Sequence, residues 1–128
     1  LQIRDFVNIE DVVKANLLVM NDSRADYEVF NVGGGRQYTV LEFAKLASQI
    51  YSREFRPYVA SDFRFGDTRH IMSNISKLKT LGWEPKRDAL YSLECYKAWL
   101  ETQQASPEIV EYAYKKMRQT NVVGTIRR

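Results

Sequence analysis

The chain has 128 residues and a mass of 15.0 kDa, with 19 basic and 16 acidic residues, a net charge of +3 and 45% apolar residues. That is one domain's worth of ordinary globular polypeptide, able to bury a core unaided. Three prolines and six glycines exclude a Pro- or Gly-rich disordered class. The lone Cys95 excludes an internal disulfide framework and a multi-cysteine zinc site, and suits a reducing cytoplasm. The lone His70 excludes a two-histidine zinc helix, so no metal centre is expected. No apolar run approaches the ~18 residues of a membrane span, and no membrane partner is expected. The small cationic excess is interleaved with acids. It argues against a nucleic-acid surface and fits a small anionic ligand held by two or three cations. The chain opens at Leu1 in strand-like sequence, with no initial methionine, so an N-terminal part is expected to be missing.

A short strand is predicted at Ile3, Phe6 and Val7, with Arg4 and Asp5 between them. Ile9, Val12, Val13, Asn16, Leu17 and Met20 then lie on one helical face. Asn8 is a plausible N-cap there, and Glu10 and Asp11 suit the positive end of the helix dipole. Residues 21–23 read as a loop. The aromatic and β-branched run over 27–32 reads as a buried strand, stopped by Gly33, Gly34 and Gly35. Thr39 and Glu42 have capping-box spacing at the head of a second helix, whose stripe is Val40, Phe43, Ala44, Ala47, Ile50 and Tyr51.

Residues 55–59 read as an edge strand because of Pro57, and 61–69 as a charged loop centred on Gly66. A brief strand is expected over 70–72. A short helix over 77–81 follows, capped by Asn74 or Ser76 and closed by Gly82, and then a turn through Trp83, Glu84 and Pro85. Residues 88–103 form a longer helix with Ala89, Leu93, Tyr96 and Leu100 on one side. Ser106 and Pro107 open a last helix through Met117, and a mobile basic tail is expected from Thr120. Alternating short strands and helices place the chain in the α/β or α+β class.

Three clusters can carry chemistry. Arg4 and Asp5 put two charges inside an apolar strand, where Arg4 needs a partner. That partner is either an anionic ligand or, more commonly, Asp5 itself in an ion pair. The segment from Asn31 to Gly35 lets backbone approach a ligand closely or is a flexible turn; its spacing is not the G-x-G-x-x-G dinucleotide fingerprint. In the third cluster, Arg64 and Arg69 can clamp a diphosphate while Asp67 accepts ribose hydroxyls, or all three belong to a solvated loop. Cys95 reads as a core or interface residue, His70 as a structural or ligand-contact residue, and Trp83 and Trp99 as packing aromatics.

Taken in order, these clusters resemble a known family. Residues 4–12 resemble the "RDFVHVDDV" segment of extended short-chain dehydrogenases/reductases that act on sugar nucleotides. Residues 27–35 resemble their "YNVGGG" strand, and 64–70, 74–77 and 81–85 resemble their "RPGDxRH…DISKA…LGWEP" region. The likeness runs over about residues 2 to 103. It is nearest to the NAD-dependent nucleoside-diphosphate-sugar epimerases of the UDP-glucose and dTDP-sugar 4-epimerase kind. Asn8 stands where that family often has His, and Asn74 where it often has Asp.

The resemblance implies the α/β, C-terminal substrate-binding portion of a Rossmann-type enzyme, without the N-terminal NAD-binding part. Residues 1–104 would form the sugar-nucleotide-binding portion and 105–128 a C-terminal helix and basic tail. Arg4 and Arg64 would hold the diphosphate of a UDP- or dTDP-sugar, and Asp67 its ribose. Asn31, Val32 and Gly33 would lie beside NAD, which the N-terminal part would mainly bind. No catalytic residue is assigned. Tyr112 and Lys116 have Y-x-x-x-K spacing but lie outside the family's position for that motif. The chain would be inactive alone. A related dehydratase or reductase, or a non-catalytic binding module, are the alternatives. In the family the 27–32 strand joins the N-terminal sheet, so here its apolar faces would lack partners. A homo-oligomer or a sticky surface is expected.

Overall fold

The computed structural model describes residues 2–52, 54, 56–59, 62–103 and 107–125. Strand β1 is Ile3–Asp5 and helix α1 is Ile9–Met20. Asn8 caps α1 as expected, its side-chain oxygen accepting from the Glu10 amide at 2.9 Å. Its amide group donates to Ser92 Oγ at 2.9 Å and so ties the start of α1 to a distant helix. A 3-10 turn over Ser23–Ala25 follows. Strand β2, Gln37–Thr39, leads into α2, Val40–Ile50. Here the capping box is complete: Glu42 accepts from the Thr39 amide at 2.7 Å, and Thr39 Oγ1 accepts from the Glu42 amide at 3.1 Å.

The second half holds β3 (Asp62–Arg64), α3 (Ser76–Lys79), α4 (Ala89–Glu101), α5 (Pro107–Gln119) and β4 (Val123–Thr125). Asp88 caps α4 by accepting from the Tyr91 amide at 2.8 Å. The strands form two antiparallel pairs. In one, Ile3 faces Thr39 and Arg4 faces Tyr38; in the other, Asp62 faces Thr125 and Phe63 faces Gly124. A parallel bridge joins Ile3 to His70, so β1 lies between β2 and the segment that follows β3.

Ala15, Ile75, Leu78 and Trp83 make the core, with Leu18, Val19, Phe30, Val32 and Leu81 packed against it. Small Ala15 on α1 lets α3 come close enough for Leu78 to be fully buried. Against β1, Phe6 stacks on Phe43 of α2 with ring centroids 3.9 Å apart.

Several expectations are corrected. The apolar stripe assigned to the core side of α1 is largely its outer face: Ile9 is 70% exposed and Met20 78%, while Asp11 and Ala15 are buried. The helix is apolar around most of its girth, and α3 and Trp83 take only one side. Residues 27–32 form no strand. Tyr27 is fully exposed with φ +60° and Val29 is 82% exposed, because the described residues offer this segment no ladder partner. The 55–59 strand falls partly outside the described residues, and 56–59 are irregular. The charged loop instead begins as β3, and the expected tail contains β4, each supplying the other's hydrogen bonds. The last helix runs two residues further than expected, to Gln119. Trp83 packs in the core as expected, but Cys95, Tyr96 and Trp99 are exposed.

Candidate substrate and cofactor site

Strand alternation sends neighbouring side chains to opposite faces, and this separates Arg4 from Asp5. The ion pair between them does not form. Asp5 instead accepts from the Gly34 amide at 2.7 Å and the Ser73 amide at 3.1 Å. This carboxylate accounts for the glycines. A Cβ on Gly33 would lie 2.2 Å from Asp5 Oδ2, and one on Gly34 would lie 1.9 Å from the Phe6 carbonyl oxygen. The turn is closely packed rather than loose. Nothing in the sequence marks Asp5 as its clamp, because its partners lie 29 and 68 residues away.

Arg4 uses Nη1 to donate to the Ile3 carbonyl at 2.9 Å and the Arg69 carbonyl at 3.2 Å. Its other guanidinium donors make no hydrogen bond or ion pair among the described residues. The Ile71 amide also donates to the Ile3 carbonyl, at 3.2 Å. Arg4 is thus joined to the end of the segment that begins with Arg64. Five residues of fully extended chain span at most about 18 Å, which bounds the Cα separation of Arg64 and Arg69. Arg64 and Asp67 are exposed, and their side chains make no hydrogen bond or ion pair among the described residues. Gly66 takes φ +86°, a conformation that favours glycine, and the Asp67 amide closes the turn on the Arg64 carbonyl at 3.2 Å.

On the other face of β1, Gly33 is buried beneath Asp5, Val32 packs against the core and Asn31 is exposed. Of these three, Asn31 alone has a side-chain polar group, on an exposed residue; Val32 and Gly33 have only backbone to offer a cofactor. Beside them a cavity of about 310 Å³ opens between α1 and the 25–32 segment, lined in part by Val19, Val29 and Phe30.

Another carboxylate was read from the sequence only as a helix-dipole residue. Asp11 is fully buried, and its Oδ2 accepts from the amides of Lys86 at 2.9 Å and Arg87 at 2.8 Å. Its carbonyl accepts from Trp83 Nε1 at 3.1 Å. Arg87 in turn pairs with Glu10 at 3.1 Å, and this contact raises its pKa further above neutrality. These bonds fix the loop after Trp83; they are structural. Among the described residues, no cluster of three or more His, Cys, Asp or Glu could hold a metal ion, and no helix is long and apolar enough to cross a membrane.

No protein-family model matches the chain. It is 33% identical over 84 residues to the dTDP-L-rhamnose 4-epimerase of Burkholderia thailandensis, covering 65% of this chain and 23% of that protein. Its fold is similar to the crystal structure of the Thermotoga maritima UDP-glucose 4-epimerase with UDP-glucose. The TM-score is 0.65 at 37% identity, covering 77% of this chain and 33% of that one. It is also similar to the Bacillus anthracis dTDP-glucose 4,6-dehydratase in complex with NAD, at TM-score 0.69 and 26% identity, covering 81% of this chain and 33% of that one. The chain thus spans about a quarter to a third of the length of these relatives. In sequence and in fold it corresponds to the C-terminal portion of the Rossmann-type extended short-chain dehydrogenases/reductases, the group of nucleotide-sugar epimerases and dehydratases.

Proposed function

We propose that this chain is the substrate-binding portion of an NAD-dependent nucleotide-sugar epimerase and is inactive by itself. Arg4 and Arg64 hold the diphosphate of a UDP- or dTDP-sugar. Two guanidinium groups match its charge and offer paired donors, and Asp67 reads the ribose diol. The observation that carries this reading is the bond from Arg4 to the Arg69 carbonyl. It joins the β1 strand to the loop bearing Arg64 and Asp67, whose own side chains are left open to a ligand. Two relatives solved with UDP-glucose and with NAD support the ligand classes.

NAD would be held mainly by sequence outside this chain, with Asn31 and the backbone of Val32 and Gly33 on its near side. It supplies hydride acceptance and return at a sugar carbon when bound. The division at residue 104 belongs to the same proposal, with 105–128 as an addition to the binding portion. The bare outer face of α1, with Ile9, Val13, Leu17 and Met20, is where we place contact with the rest of the protein or with a second copy.

A dehydratase is the second reading, favoured by the likeness to the dTDP-glucose 4,6-dehydratase. A binding module without catalysis is the third. Product analysis separates them: an epimer, loss of water, or no turnover. The site itself is tested by calorimetric titration of UDP- and dTDP-sugars into the protein as encoded in full. Arg64→Ala is expected to weaken binding by about 1.5–3 kcal/mol, the worth of one charge-assisted contact. Unchanged affinity would remove the diphosphate assignment.

A further inference from the structure

The segment that extends past the family likeness folds back onto the strand that carries Arg64. Asp62, at the head of β3, is the point of attachment. Its Oδ1 accepts from Thr125 Oγ1 of β4 at 2.5 Å, and its Oδ2 accepts from the Tyr114 hydroxyl and from Arg118 Nη2 of α5. Arg118 also donates to the Tyr114 hydroxyl at 2.8 Å and lies over its ring, 5.1 Å from the centroid. The Thr125 and Tyr114 hydroxyls, with the Arg118 charge, hold the Asp62 carboxyl below the usual carboxylate range.

Backbone contacts carry the attachment forward to the loop. Arg64 pairs with Val123, and the Phe65 amide donates to the Val122 carbonyl at 3.0 Å. The Val122 amide donates to the Met117 carbonyl at 2.9 Å and so roots β4 in α5. Phe63 and Phe65 meet edge to face, 5.1 Å apart, over the bare backbone of Gly124. A Cβ on Gly124 would lie 2.8 Å from Phe63 Cζ and 3.2 Å from Phe65 Cζ. The contacts described from α5 and β4 to the rest of the chain end on residues 62–65, and Gly66 and Asp67 follow at once.

We propose that α5 and β4 form a strap that sets the register and orientation of the Arg64–Asp67 loop for a nucleoside diphosphate, with Asp62, Arg118 and Gly124 as positioning residues. This rests on the diphosphate reading given above. Unstrapped, β3 would be a lone three-residue strand with no ladder partner among the described residues, and Arg64 would sample many orientations before meeting its ligand. Strapped, it meets the pyrophosphate already placed, and less ordering remains to oppose binding.

The test is isothermal titration of UDP, dTDP and GDP into the protein as encoded in full, with thermal melting and amide hydrogen exchange at Phe65 and Asp67. Asp62→Asn and Arg118→Ala are each expected to weaken the best-bound diphosphate about three- to tenfold, the coupling expected of residues in one network. Exchange should quicken at those two amides while the melting temperature stays close to that of the unaltered protein. Arg118→Lys should recover part of the affinity. If Arg118→Ala binds as the unaltered protein does while Arg64→Ala loses affinity, the strap is refuted and the diphosphate site stands. If Arg64→Ala also binds normally, or no diphosphate binds at all, the site reading fails and the strap fails with it. Weakened binding that comes with faster exchange throughout the chain would refute positioning in favour of general destabilisation. Should Asp62→Asn not fold, Arg118→Ala, on the exposed surface of α5, decides the matter alone.

Discussion

The two antiparallel strand pairs each match three residues with three, yet different forces hold them. The β1–β2 pair sits against the body of the chain. Tyr38 is buried, Phe6 stacks on Phe43, and the Asp5 carboxylate is used up on backbone amides. The β3–β4 pair lies toward solvent, with Phe63 39% exposed and Phe65 64%, and its fastening is a cluster of polar side chains around one carboxylate. Packing of the first kind is insensitive to salt and tolerates little change in shape. Fastening of the second kind tolerates changes of shape and responds to pH and ionic strength. A rigid platform beside an adjustable loop is a sensible division for the binding role proposed above.

The comparison is broken most severely at Gly34. Gly34→Ala would drive a Cβ into the Phe6 carbonyl, 1.9 Å away, and is expected to cost about 3 kcal/mol, the upper end for overpacking. Urea denaturation reads this as a lower midpoint; an unchanged midpoint would show that β1 and the glycine turn are not in close contact. Asp5→Ala comes next. It leaves two part-buried amides, those of Gly34 and Ser73, without acceptors, and about 2 kcal/mol should be lost in the same experiment. Thr39→Ala removes the cap at the end of β2 and should cost about 1 kcal/mol. Equal loss from Thr39→Val, which keeps the shape but not the hydroxyl, would assign that loss to the hydrogen bond.

The smallest effect on global stability is expected at β3–β4, and it depends on pH. The folded pKa of Asp62 is depressed below its ordinary 3.8. Its contribution is therefore complete above that value and is lost as pH falls through the lower folded value. Protection factors at the Phe65 amide, corrected for intrinsic exchange, should fall below about pH 4 while those in α1 hold. High salt should lower them in the same direction. Parallel loss at both strand pairs would erase the distinction between them.

Where one residue and its near neighbours decide a structure, the sequence was legible. The caps at Asn8 and Thr39 each satisfy an amide two or three residues away, and each was visible as a local pattern. The family likeness was legible for a similar reason, since it lies in short runs in a fixed order. The α1 stripe was misread because periodicity finds an apolar face but cannot say what covers it. Strand 27–32 was misread for the same cause: its composition suits a sheet that the described residues do not provide. Of the candidate site, the types of residue were legible, and the attachment of Arg4 to the loop that begins at Arg64 was not.

From the amino-acid order alone came the helices, the caps at Asn8 and Thr39, the class of fold and the arginines and aspartate proposed for a nucleoside diphosphate. All of these depend on interactions within a few residues or on side-chain chemistry that needs no neighbour. The tertiary structure decided that Asp5 serves the glycine turn and leaves Arg4 unpaired with it, that Asp11 fixes the loop after Trp83, and that the C-terminal segment straps β3 through Asp62. Each of these joins residues tens of positions apart, and only packing, which brings distant backbone amides and side chains within hydrogen-bond reach, selects such partners from the many a sequence permits.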